Sequence, residues 1–186
     1  MVISKRHLTA RINSILQDYQ FSRSRISWNR EWPEFVDIID TQFNKFGDAF
    51  TVNVGIADRF VVYTCWGIND PRFIDESMCT VRARLGELLY GRDVWWSLSD
   101  EDEVEEALSS IQRLAIPFLE FNHQINHMIE FLENDSASIR YPPGVIYLAI
   151  LYHRNGQSDR CREVFNSIKL TGAWSEKLSS IIDALN

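Results

Sequence analysis

The sequence predicts an α+β fold: an antiparallel β-meander of about four strands packed with helices, then a helical C-terminal section. Three observations carry this. Apolar residues recur at helical spacing near the N-terminus, the period drops to two between residues 35 and 56, and it returns to helical after Trp95-Trp96. With 186 residues, 45% of them hydrophobic, there is apolar material for a core, and a disordered chain is excluded. The expected layout is an α+β domain over 1–135 and a helical hairpin plus terminal helix over 136–186, docked on the same core.

Leu8, Ile12, Ile15, Leu16 and Tyr19 share one narrow face at ~100° per residue, so residues 4–20 read as an amphipathic helix. A strand is expected from Ser24 to Arg30. Phe35, Asp37, Ile39, Thr41 and Phe43 alternate with Val36, Ile38, Asp40 and Gln42. Phe50, Val52, Val54 and Ile56 alternate with Thr51, Asn53 and Gly55. With Lys45-Phe46-Gly47-Asp48 as the turn, these two runs form a hairpin with one face buried. A further strand is expected from Met78 to Leu85, with Arg82 and Arg84 on its non-buried side. Ser99 is the expected cap of a helix whose buried stripe is Val104, Leu108, Ile111 and Ala115, and Pro117 is expected to limit it. A second helix carries Phe121, Ile125, Met128, Ile129 and Leu132, with a loop after it at residues 134–138.

Val145 to Tyr152 is apolar all round, and the residues on its C-terminal side identify it as helix. Leu148, Ala149, Tyr152, Gly156, Cys161 and Phe165 sit where a tetratricopeptide helix-turn-helix places Leu, a small residue, Tyr, Gly, a small residue and Phe. Residues 143–170 therefore resemble a single tetratricopeptide-like hairpin, with Ala173 where the repeat's closing Pro stands. Trp174 to Leu185 reads as one more helix.

The net charge is −7 and the pI about 5.1. Residues 1–94 balance twelve Lys or Arg against twelve Asp or Glu, whereas residues 95–186 carry seven against fourteen. No stretch forms a phosphate track, so nucleic acid is not an expected partner, and no apolar run approaches the roughly 20 residues of a membrane span. The expected partner is another protein, of basic character. Cys65, Cys79 and Cys161 are odd in number and widely spaced, and residues 1–7 lack the apolar core of a signal peptide; a reducing, cytoplasmic compartment is expected.

Catalytic signatures are missing: there is no Gly-x-Ser-x-Gly, no phosphate-binding glycine loop and no Gly-x-Gly-x-x-Gly. Neither a catalytic residue nor a cofactor is assigned. Glu120, His123, His127 and Glu130 have spacings that place them on one side of a helix, opposite its apolar stripe; a wet face rather than a metal site is expected. Two groups remain. Trp28, Arg82, Arg84, Asp93, Trp95 and Trp96 combine Arg and Trp, the ingredients of a binding surface. The competing reading, which weighs more, has the tryptophans closing the open end of the sheet and the arginines paired across strands. Asp100, Glu101, Asp102, Glu103, Glu105 and Glu106 exceed what a helix start needs, so an acidic docking patch stands beside a solvated, dipole-complementing role.

The order of features also resembles a known family. Trp28 and Arg30 in a strand, Phe35-Val36-Asp37-Ile38-Ile39-Asp40-Thr41-Gln42, Phe50-Thr51-Val52-Asn53-Val54-Gly55, Cys79-Thr80-Val81-Arg82, Asp93-Val94-Trp95-Trp96 and Ile116-Pro117-Phe118-Leu119 together resemble the bacterial domain-of-unknown-function family numbered 4304, over residues ~4–135. Many members have Cys-His where this chain has Cys79-Thr80. The resemblance implies the α+β layout and a bacterial, cytoplasmic origin, and carries over no catalytic residue. The leading expectation is a non-enzymatic protein-binding module, immunity-type or regulatory. The alternatives are an enzyme of unrecognised type using a Trp/Arg-lined sheet face, and a self-associating scaffold subunit.

Overall fold

The computed structural model describes residues 2–69, 71–134, 142–169 and 172–185. The loop expected at residues 134–138 lies outside these from 135 onward, as does the expected boundary at 135/136. The chain forms two compact units, Met1–Ala57 with Arg72–Phe121, and Asp58–Pro71 with Asn122–Asn186. Residues 58–71 and 122–134 thus group with the C-terminal helices.

The first unit opens with helix α1 (Lys5–Gln17), whose cap Ser4 accepts a hydrogen bond from the His7 amide at 3.2 Å. Leu8, Ile12 and Leu16 are wholly buried, as their spacing predicts. The single strand expected at 24–30 is instead a hairpin of β1 (Ser22–Ser24) and β2 (Ser27–Glu31). Its two-residue turn puts Arg25 at φ 58°, the left-handed geometry such a turn uses. Strands β3 (Phe35–Phe43) and β4 (Ala49–Asp58) come next, as the alternation predicts. Asn44 fixes their turn, its Oδ1 accepting from the amides of Gly47 and Asp48.

The strand expected at 78–85 is shorter. Asp75 accepts from the Ser77 amide and starts a 3-10 turn (Glu76–Met78), and β5 covers only Val81–Arg84. Glu87 Oε2 then accepts from the Arg84 amide at 2.7 Å and ends the strand by starting helix α3 (Leu85–Tyr90). The sheet runs β1-β2-β3-β4-β5, and β6 (Trp96–Ser97) pairs with the start of β4. That makes six strands among the described residues, where about four are expected from the pattern.

One face of the sheet is the core: Trp28, Ile39, Phe50, Val52, Val54, Ile56 and Val81 lie on it with no exposure. Asn13 of α1 accepts from Trp28 Nε1 at 3.0 Å, which docks the helix there. Helix α4 (Glu101–Ser110) continues through a π-helical stretch, Ile111–Ala115, into α5 (Ile116–Phe121). The stripe Val104, Leu108, Ile111 and Ala115 is buried as expected, but Pro117 does not end the helix. The Ile116 amide reaches Ile111 O, one residue further back than in an α-helix. This wider turn just before the ring accommodates a residue that has no N–H to give.

The second unit is helical. The sequence pattern did not disclose α2 (Arg59–Trp66), which is capped by Asp58 accepting from the Val61 amide at 3.1 Å. It is joined by α6 (Ile125–Asn134), α7 (Pro142–Arg154), α8 (Ser158–Ser167) and α9 (Ala173–Leu185). Phe121 is not in the buried stripe of α6; it ends α5 and is 57% exposed. Helices α7 and α8 form the expected hairpin, with Gly156 at φ 73° in the turn, where any side chain would be strained. Helix α7 packs against α2, α6, α8 and α9, which is why Ile146 to Tyr152 are all buried. Within this unit Arg154 pairs with the fully buried Asp58; burial raises that carboxyl's pKa and the guanidinium opposes the rise. Among the described residues no helix is long and apolar enough to cross a membrane.

Candidate functional site

The face of the sheet opposite the core is polar. In an antiparallel pair, directly opposed residues point to the same side. Ser27 opposes Asp40, Asn53 opposes Arg84 and Gly55 opposes Arg82. The Asn53 amide donates to Asp40 Oδ2 at 3.3 Å, which ties β3 to β4 on that side. Alternation adds Gln42 and Thr51. Trp96 pairs with Phe50 on the core side, so Trp95 projects to the polar one.

Two ion pairs frame this face. Arg84 pairs with Asp93, lies with its guanidinium 5.6 Å from the centre of the Trp95 ring, and comes within 3.5 Å of Gln42 Oε1. Trp95 Nε1 also donates to Asp93 at 3.3 Å, so three side chains hold one another. Arg82 pairs with Glu76 at 2.8 Å. One end of the face is closed by residues 72–80. The side chain of Asn29 holds both backbone groups of Ile74, accepting from its N at 2.7 Å and donating to its O at 3.1 Å. Cys79 sits so close over Gly55 that a Cβ there would lie 2.5 Å from Sγ, so only glycine fits. Consequently β4 is buried on both sides, not one as the alternation predicts.

Asp40 lies on this face, opposite Ser27 of β2 and hydrogen-bonded to Asn53 of β4. Burial raises its carboxyl above the ordinary value of 3.8; the Asn53 amide opposes the rise, and the charges of Glu76 and Asp75 add to it. The guanidiniums on this face are committed to Glu76 and Asp93. Ser27 Oγ, opposite Asp40, and Thr51 Oγ1, two residues before Asn53, are buried without a hydrogen-bond partner among the described residues, and Thr51 is wholly buried. Burial pushes the Cys79 thiol well above its usual pKa, which makes it a poor nucleophile.

Of the six residues grouped by their Arg and Trp character, Arg84, Asp93 and Trp95 come together, and Arg82 shares their face. Trp28 and Trp96 do not belong: they are 0% and 1% exposed and serve the core, each indole N–H reaching out to a half-buried acceptor, Asn13 and Glu106.

The acidic start of α4 has internal uses. The cap is Asp100, not Ser99: its Oδ1 accepts from the amides of Asp102 and Glu103. Glu101 and Glu105, one turn apart, both pair with Arg11 of α1. Glu103 accepts from the Ser97 amide, and Glu106 accepts from Tyr90 and Trp96, hydrogen bonds that lower the Glu106 pKa. Asp102 is exposed. Mutual repulsion among the six is therefore offset by donors that the sequence pattern does not reveal.

Glu120, His123, His127 and Glu130 do not share a helix. Glu120 is on α5 in the first unit, 3.6 Å from Arg30; His123 is in a turn; His127 and Glu130 are on α6. The helix breaks at residues 122–124, which removes the common face assumed from spacing. Among the described residues no group of three His, Cys, Asp or Glu is placed to hold a metal.

Sequence reasoning missed Asp40, Gln42, Thr51 and Asn53 as site residues. The signal was present: they are the polar members of the two alternating runs, on the face left over once the apolar members are assigned to the core.

The sheet, the two ion pairs and helices α1, α4 and α5 define an α+β domain with one polar sheet face. Residues 12–120, more than half of the chain, match the family described as Domain of unknown function (DUF4304), and the protein belongs to that family. No curated protein and no solved structure matches the chain.

Proposed function

We propose that the chain is a non-enzymatic protein-binding module of the bacterial cytoplasm, immunity-type or regulatory, and that it recognises a basic protein through the polar face of its sheet. The observation that carries this is the Arg84–Asp93–Trp95 group. A guanidinium laid on a part-exposed indole and clamped by a carboxylate presents aromatic and charged surface already ordered before binding. Such Arg and Trp anchors dominate protein interfaces. The acidic start of α4 contributes less to this proposal, since its carboxylates are engaged within the chain. Three free, buried cysteines fit a reducing compartment.

The experiment is capture of native proteins by the immobilised chain, compared with a Trp95→Ala, Arg84→Ala variant of unchanged circular dichroism. A protein held by the native chain should be lost from the variant by tenfold or more. Equal capture by both would place the interface elsewhere.

An enzyme working on the same face is a second reading, favoured by the raised carboxyl of Asp40, held by Asn53 on a face that also carries Arg82 and Arg84. Incubation with a small-molecule extract and subsequent NMR checks it. Time-dependent loss of a component, abolished by Asp40→Asn, would favour the enzyme.

A further inference from the structure

We propose that helix α9 is a detachable strap: it lifts from α2 and α7 while the rest of the second unit stays folded, and lifting bares the Cys65–Trp66 edge of α2. This goes beyond the protein-binding reading and does not depend on it. Three observations lead to it.

The first is how lightly α9 is held. Of its 13 residues only Ile181 is buried. Trp174, Leu178, Ile182 and Leu185, the rest of its apolar face, are half-buried. Helix α7 has the same length, yet every residue from Ile146 to Tyr152 is buried. Ser179 and Ser180 of α9 donate back to their own helix. Among the described residues no side-chain hydrogen bond or ion pair ties α9 to another helix. An element that buries so little apolar surface opens at a free energy well below that of global unfolding.

The second is that the polar and aromatic hold of α9 falls on one ring. Trp174 sets its edge against Trp66, with centroids 5.9 Å apart and planes at 76°, and Lys177 places its Nζ 4.3 Å from the centre of the same ring. Both side chains come from the start of α9, one helical turn apart. Lifting that turn therefore releases the edge contact and the cation–π contact together.

The third is that α2 and α7 are fastened to each other without α9. Arg154 of α7 pairs with Asp58 at the start of α2. At the far end of α2, Trp66 Nε1 donates to the Tyr147 hydroxyl of α7 at 2.9 Å. Both fastenings survive the departure of α9.

Cys65 marks the opening. It is 2% exposed, and it lies near enough to Lys177 that the ammonium opposes the rise to about 11 which burial imposes on the thiol. Lifting α9 returns water to this edge and restores ordinary thiol reactivity. Cys161 on α8 and Cys79 in the first unit are also buried, and they serve as internal references.

The test is labelling of the native full chain with N-ethylmaleimide, with the rate at each cysteine read by peptide mass spectrometry. Cys65 should react at least tenfold faster than Cys79. Trp174→Ala should speed Cys65 a further fivefold or more and leave the rates at Cys161 and Cys79 unchanged. Hydrogen exchange gives a second measurement that needs no variant: the amides of α9 should exchange as a group, at least tenfold ahead of those in the middle of α7. Equal labelling of Cys65 and Cys79 overturns the proposal, as does an equal rise at Cys65 and Cys161 in Trp174→Ala, which would mean that the unit opens as a whole. Loss of the second unit's helical circular dichroism in Trp174→Ala overturns it too, because a strap is not needed by what it covers.

Discussion

At Asp40 the folded chain holds a carboxyl whose pKa lies above 3.8, raised first by burial and then by Glu76 and Asp75 against the pull of Asn53. The folded state therefore keeps this proton more tightly than the unfolded state does. Stability contributed at this site is highest below pH 3.8, falls as pH rises through the folded pKa, and is level above it. Asp40→Asn removes that penalty. The variant should melt higher than the native protein at pH 7 and equally at pH 3. Melting curves between those limits check this, and the difference between the two proteins isolates Asp40 from Asp58, whose pKa is also raised. A lower midpoint at pH 7 would mean that the Asp40 charge supports the fold. Arg11 gives a second test. It reaches both Glu101 and Glu105, so Arg11→Ala should cost about 1 kcal/mol, with the loss shrinking in high salt. Urea midpoints at two ionic strengths measure it. Gln at 101, 103, 105 and 106 together would remove the charge from these pairs, weaken the bond to Ser97, and leave position 106 with one acceptor oxygen for the two donors Tyr90 and Trp96. That change should therefore lower stability by more than Arg11→Ala does, rather than being nearly neutral.

Between elements, what the sequence discloses depends on length and on contrast between faces. Strands β3 and β4 are nine and ten residues long and alternate clearly, so both strands and their turn are legible. Helix α3 has six residues, less than two turns, and shows no period. Helix α2 is rich in Phe, Val, Tyr and Trp, residues that read as strand; only Asp58 before it and Gly67 after it mark a helix. The site is legible only in part. Alternation places Asp40 with Gln42, Asn53 with Thr51, and Arg82 with Arg84. Joining the three pairs needs strand register, which the Asn44 turn and the β4–β5 pairing set. Proximity in sequence groups Trp95 with Trp96 and so brings a core residue into the surface; adjacent strand residues point opposite ways. The closure of the polar face by residues 72–80 is testable at Gly55. Gly55→Ala should cost about 1–3 kcal/mol by forcing its methyl against Cys79. Cys79→Ala in the same chain should return part of that loss, because the Cys79 Cβ would still be 2.9 Å away. Denaturation of the two single variants and the double variant closes the cycle. Additive losses would mean that the strand shifts instead.

For the whole molecule, the discontinuous second unit decides how the chain tolerates shortening. Helices α2 and α6 bury Val61, Val62, Cys65, Met128, Ile129 and Leu132, and both pack on α7. A chain ending at Asn134 keeps these two helices and loses the one that covers them. It should bind a hydrophobic dye and aggregate, although the residues of the first unit are all present. A soluble, dye-negative fragment with an unchanged melting midpoint would show that α2 and α6 need no α7. The same discontinuity has a temporal side. During synthesis α2 leaves the ribosome roughly 60 residues before α6 begins, which at typical elongation speeds is roughly 3–12 s. Throughout that interval its buried side has none of its helical partners. Nascent chains stalled between residues 90 and 120 should accordingly be better substrates for holding chaperones than chains released at full length.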